Sequence, residues 1–168
     1  MSNKEVDVLR AIQANLYDVP GVLPTARGLS YFGEHALGWL GISAAGAALD
    51  EKRRRKWLAM GAGAFTAHAA SVVIKRIVRR RRPHDPRIKV GVGTPSRLSF
   101  PSSHATSTSA AMVHLADITG SKLPYAGIPI MMASRMVLGV HYPTDTLAGA
   151  LLGAGVARAA IEIERQTA

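Results

Sequence analysis

Cysteine is absent from the 168 residues, so a disulfide framework and a thiolate zinc site are both excluded. Aromatic residues are scarce, at 5%. Acidic residues are short too, 11 against 21 basic ones, which leaves a formal charge of +10. That excess suits nucleic acid, an anionic membrane surface or an anionic substrate, and composition alone does not choose among them. The opening segment MSNKEVDVLRAIQANLYDVPG has no uninterrupted apolar core and no small-residue cleavage site. A secretory signal is therefore not expected there. The length leaves no room for a second large domain, and one domain over 1–168 is expected.

What the chain has in quantity is Ala and Gly. Small residues let helix backbones approach closely, and they are enriched where membrane helices pack. A soluble alanine-rich bundle is the alternative, and the positive mean hydropathy of +0.11 speaks against it. Within 1–28, Leu9, Ile12 and Leu16 recur at helical spacing, with Lys4, Glu5, Asp7 and Arg10 between them. This predicts an amphipathic helix that lies on a membrane surface or packs against a bundle.

Five apolar stretches follow, at 29–49, 57–74, 103–119, 123–140 and 146–163. The first is interrupted by Glu34 and His35. The second carries no formal charge over 18 residues, close to the ~20 needed to cross the hydrocarbon core. The third is weakly apolar and belongs inside the bundle, away from lipid. The last contains Gly149-x-x-x-Gly153, a packing pattern that serves within one chain or between subunits; the oligomeric state stays open. The expected fold is all-α: a polytopic membrane helical bundle of about five spanning helices, preceded by the interfacial one.

If each stretch crosses once, four ends fall on one side of the membrane. Lys75, Arg82, Ser102, His104, Arg135, His141 and Asp145 then sit at similar depth. Ionisable groups at membrane depth are costly and point to function. Three fixed cations suit phosphate oxygens, which guanidinium forks bind in pairs. PSSH at 101–104 looks like a helix start, capped by Ser102 or Ser103, and its free N–H groups favour an anion. His141 and Asp145 are four apart and would share a helix face. A carboxylate on one imidazole nitrogen leaves the other basic and able to attack. His104 is a second imidazole that could protonate a leaving oxygen. Nothing in this set requires a metal or a cofactor.

Three segments carry a family resemblance. KRIVRRRRP (Lys75–Pro83), PSSH (Pro101–His104) and SRMVLGVHYPTD (Ser134–Asp145) resemble, in order and spacing, the three motifs of the type 2 phosphatidic acid phosphatases. These are membrane lipid phosphatases related to haloperoxidases. The resemblance spans 75–145 and departs from the family pattern at Ser103, where glycine is usual. It implies that His141 attacks phosphorus and forms a phosphohistidine, and that Asp145 orients it. It implies that His104 protonates the leaving oxygen and then helps water release the phosphate. Lys75, Arg82, Ser102, Arg135 and the Ser103 N–H would hold the phosphate. The compact length is similar to bacterial members acting on polyprenyl-linked phosphates in cell-wall precursor synthesis. A phosphoribosyl polyprenol is the expected substrate; a polyprenyl diphosphate, phosphatidate and phosphatidylglycerophosphate fit the same chemistry.

Other classes fare worse. A nucleic-acid binder would want a soluble fold without apolar spans, so nucleic acid is not expected as a partner. A haloperoxidase would be larger and soluble. A purely structural membrane protein leaves three spaced motifs as coincidence. His68 and His114 read as ordinary buried histidines, His114 with Asp117 included, and His84 and Asp85 as loop residues. Arg53 to Arg55 and Arg79 to Arg81 read as contacts to anionic membrane lipids or as topology signals. The location expected is the plasma membrane. The basic excess on the 75–101 side, motif cations left out, leans toward a site facing the cytoplasm.

Overall fold

The computed structural model describes residues 3–166. Met1, Ser2, Thr167 and Ala168, the ends of the expected amphipathic segment and of the expected domain, lie outside the described residues. Seven α-helices run through it: α1 Asn3–Leu16, α2 Val22–Phe32, α3 Leu37–Leu49, α4 Arg54–Val78, α5 Ser103–Thr119, α6 Gly127–Val137 and α7 Pro143–Gln166. Among the described residues the only β pairing is one isolated bridge, Arg81 with Leu98. The all-α expectation holds.

Several expected boundaries do not. The segment 1–28 is two helices, because the chain turns at Gly21, whose φ of 85° is left-handed and suits glycine. The stretch 29–49 breaks at 33–36, where His35 and Ala36 take φ of 50° and 62°. The stretch 123–140 holds an α-helix of only 11 residues, about 16 Å long. Among the described residues two helices, 51–78 with its leading turn and 143–166, are long and apolar enough to cross a membrane. Five expected spans thus reduce to two by length and composition. An apolar run in sequence does not reveal where the backbone turns.

α5 is the central helix and packs against α4, α6 and α7. Its Thr106, Ser107, Thr108 and Ser109 are at most 2% exposed. Most of these hydroxyls have partners: Thr106 Oγ1 donates to the Ser102 carbonyl at 2.8 Å, and Thr108 Oγ1 accepts from Trp39 Nε1 on α3 at 3.2 Å. The outside is the reverse. Leu58, Phe65, Val73 and Ile77 on α4 and Leu147, Leu151 and Ile163 on α7 are all more than half exposed. Polar inside and apolar outside is the pattern of a helix bundle in lipid. Gly149 and Gly153 let α7 lie directly on α5, for a Cβ at Gly149 would come within 2.6 Å of the Ser102 carbonyl. The small-residue pattern therefore serves packing inside this chain.

The connection 79–102 is pinned, although it is mostly irregular. Arg82 N–H donates to Arg97 O at 3.1 Å and Ser99 N–H to Arg80 O at 2.8 Å. α1 packs on the same end of the bundle. Leu9 is fully buried with Ile88 and Tyr142, and Gln13 Nε2 donates to Lys89 O at 2.7 Å and to Val137 O at 2.9 Å.

Candidate active site

Four chain ends meet where α1 and the pinned loop cover the bundle: the C-termini of α4 and α6, the N-terminus of α5 and the turn before α7. A cavity of about 220 Å³ opens there, lined by Lys75, Arg82, Ser103, His104, Arg135 and His141 among others. Ser102 and Asp145 lie behind the lining and are fully buried.

Each group is placed by a local reason. Ser102 is the α5 N-cap, its hydroxyl accepting from Ala105 N–H at 3.4 Å. Of the two serines it is the cap. Ser103, in the family's glycine slot, needs no left-handed backbone. Its hydroxyl lies 2.8 Å from Ser71 Oγ on α4. Ser102 N–H donates to the Asp145 carbonyl at 3.0 Å, which ties the second motif to the third. Lys75 Nζ, at the end of α4, donates to Pro101 O at 3.0 Å.

His141 is not on a helix with Asp145, as the four-residue spacing suggested. α7 begins at Pro143, a residue suited to a first helical position, and His141 precedes it in the turn. The Asp145 carboxylate reaches back to accept from Tyr142 N–H at 2.8 Å, the reciprocal half of a capping box. Its Oδ2 stands 3.7 Å from His141 Nδ1, too far for a hydrogen bond. It faces the ring without yet bonding it.

Arg82 settles which imidazole nitrogen is basic. Its Nη1 lies 3.0 Å from His141 Nε2 and donates to Val140 O at 2.8 Å. A guanidinium has no acceptor, so Nε2 is the acceptor and the proton sits on Nδ1, toward Asp145. Burial lowers the Arg82 pKa to about 10, which leaves it charged at neutral pH. Arg135 is 1% exposed, and its Nε and Nη1 have no hydrogen-bond partner among the described residues. Burying an unpaired guanidinium is costly, and an anion in the cavity relieves that cost. His104 Nε2 lies 2.9 Å from Ser30 O, so Nε2 carries a proton in the resting site.

Sequence reasoning missed two groups. Arg80, expected at a lipid or topology position, is turned into the protein. Its Nη1 donates to Asp145 Oδ1 at 2.8 Å and to Thr144 Oγ1 at 2.6 Å, its Nη2 binds Glu5, and its guanidinium lies 4.2 Å from the Tyr142 ring centroid. Thr144 Oγ1 also lies 2.6 Å from Glu5 Oε1, so α1 braces the carboxylate behind His141. The alternation of Arg80 and Arg82 around an extended segment could have signalled this. The second group is Glu34, His35 and His68, which line the cavity. His114 stays a packing residue against Gly63. His84 and Asp85 stay in the loop, where hydrogen bonds from Arg87 hold the Asp85 carboxyl well below its usual pKa.

The model of the PAP2 superfamily matches residues 56–167. The decaprenylphosphoryl-5-phosphoribose phosphatase of Mycolicibacterium smegmatis is 63% identical over 142 residues, 84% of this chain and 79% of that protein. The Mycobacterium tuberculosis protein of the same name is 57% identical over 152 residues, 90% and 86% of the two chains. Among solved structures, the transmembrane PAP2 type phosphatidylglycerolphosphate phosphatase from Bacillus subtilis superposes with a TM-score of 0.75 at 22% identity, covering 98% of this chain and 88% of that one. Aquifex aeolicus LpxE gives 0.72 at 16% identity, covering 94% of each.

Proposed function

The chain belongs to the PAP2 superfamily, and from that premise we propose that it is an integral membrane phosphatase acting on decaprenylphosphoryl-5-phosphoribose. It removes the 5-phosphate and leaves decaprenylphosphoryl-ribose, a cell-wall precursor. The substrate comes from the two relatives at 57% and 63% identity. The chemistry comes from one observation: a buried Arg135 with two nitrogens unpaired among the described residues shares its cavity with His141, whose Nε2 faces the Arg82 guanidinium at 3.0 Å.

His141 Nε2 attacks phosphorus, and the bond from phosphorus to the ribose 5-oxygen breaks. That oxygen takes a proton from His104, which enters the step as the imidazolium and leaves it neutral. The phosphoryl group is then on Nε2, and Nδ1–H swings onto Asp145 as the ring gains charge. Arg82, Arg135, Lys75 and the α5 N-terminus with the Ser103 N–H hold the equatorial oxygens, where transition-state charge lies. Ser102 supports them by capping that helix. His104 next takes a proton from water, the water oxygen bonds phosphorus, and phosphate leaves as the bond to nitrogen breaks. Every proton and bond is supplied by side chains and water.

The exposed apolar faces of α4 and α7 support a multi-pass position in the plasma membrane. α2 with α3, and α6, complete the bundle as broken or short crossings, acceptable where backbone is buried in protein. The whole of 1–168 acts as one domain. Detergent-purified protein is expected to release phosphate from decaprenylphosphoryl-5-phosphoribose in EDTA, faster than from phosphatidate or a polyprenyl diphosphate. Activity in His141→Ala equal to wild type, or loss of activity in EDTA, would overturn the mechanism. A preference for another lipid would overturn the substrate.

A further inference from the structure

Glu34, His35 and His68 line the cavity with the phosphate groups, yet the phosphoryl chemistry does not use them. Glu34 is its one carboxylate among the described lining residues, and a carboxylate repels phosphate. Its Oε2 stands 3.9 Å from His104 Nε2, and its Oε1 stands 3.4 Å from His35 Nδ1. The His35 and His68 rings are 5.9 Å apart, and His68 Nδ1 is buried without a hydrogen-bond partner among the described residues. Polar groups at this depth are expensive unless they meet a polar ligand or each other.

The backbone is bent to present them. His35 and Ala36 are both left-handed, at φ of 50° and 62°, a conformation that strains non-glycine residues and clusters at functional sites. Gly33 lets the bend touch the site, since a Cβ there would come within 2.7 Å of His104 Cδ2. The direction also matters. His68 precedes Lys75 by seven residues on α4, so it lies about 10 Å deeper in the bundle. That places His68 on the interior side of the phosphate groups, and Glu34 beside His104 puts the cluster where the leaving group departs.

Resting on the reading above, we propose that Glu34, His35 and His68 form the subsite for the ribose of the substrate. Glu34 accepts hydrogen bonds from the vicinal ribose hydroxyls, because a carboxylate can only accept and a diol offers two donors. His35 and His68 flank the ring, each able to donate or accept. The subsite holds the 5-oxygen toward His104 and selects a phosphorylated sugar over a bare lipid phosphate.

A substrate cycle tests this. The kcat/KM of wild type, Glu34→Gln and Glu34→Ala is measured on a prenylphosphoryl-5-phosphoribose and on its 2,3-dideoxy analogue. Wild type should prefer the ribose by about 10- to 100-fold, the worth of hydrogen bonds to a charged group. Glu34→Ala should bring that ratio near one, and Glu34→Gln should fall between. Elution in detergent and melting temperature matching wild type would establish that the variants fold. An equal fall on both substrates would overturn the subsite and make Glu34 a positioning residue for His104. No preference in wild type would overturn it also. If wild type cleaves neither compound but cleaves another lipid phosphomonoester, the proposed substrate itself is wrong and the subsite falls with it.

Discussion

The two ends of α5 carry the same kinds of residue and do different work. At its N-terminus are His104, His141, Asp145 and the cations Lys75, Arg82 and Arg135. At its C-terminal end are His114, Asp117 and the cations Arg53, Lys56 and Arg165. At the far end the charges are matched. Asp117 sits between Lys56 Nζ at 2.9 Å and Arg165 Nη2 at 2.7 Å. Arg53 Nη1 donates to the Ile118 carbonyl at 2.9 Å, where the helix end is negative. His114 is 2% exposed and pressed on Gly63. At the near end Arg135 keeps two nitrogens unpaired among the described residues, and the helix end offers N–H groups to an anion. Helix polarity and unmatched charge, not residue types, distinguish the site from its counterpart.

Replacing a histidine at each end should break the comparison most sharply. His141→Ala removes the nucleophile, and kcat should fall by about 10⁴-fold or more. His114→Ala should alter kcat by less than about threefold while lowering the melting temperature, because it leaves a cavity in packed interior. Phosphate release and thermal unfolding in the same detergent measure both. Comparable losses of kcat in the two would refute the distinction.

The cations come next. Arg135→Lys replaces a fork with a point charge and should cost about 10²-fold in kcat/KM. Asp117→Asn should leave kcat/KM within about twofold, because its partners are partly exposed and matched surface ion pairs contribute little.

The brace behind Asp145 gives a smaller effect. Arg80→Gln frees the carboxylate from one of its holders, and kcat should fall about tenfold with KM unchanged. A rise in KM alone would place Arg80 in substrate binding instead.

The smallest effect is a pH dependence at α1. Burial raises the pKa of Glu5, but hydrogen bonds from Thr144 and Arg80, with the Arg80 charge, outweigh it and hold it below the ordinary 4.5. A depressed folded value stabilises above the unfolded pKa and is lost as pH falls through the folded one. Wild type should therefore melt above Glu5→Gln at neutral pH, and the difference should shrink as pH falls below 4.5 and close beneath the folded pKa. A gap that persists in acid would mean that Glu5 acts by packing.

Sequence alone determined the all-α class, the family and the meeting of Lys75, Arg82, His104, Arg135 and His141. These follow from hydrophobic period, motif spacing and alternation of spans, which are properties of the chain order. The same order also places Gly149 and Gly153 on one helix face, though not what they face. The tertiary structure decided the rest. It broke 29–49 at His35, moved His141 off the helix and put Ser102 behind the lining. It also turned Arg80 from an apparent topology charge into the holder of Asp145. Those outcomes depend on left-handed turns and on partners distant in sequence, such as Glu5 and Thr144. No local pattern encodes which buried charge remains without a partner, because that is settled only when every other group has found its own.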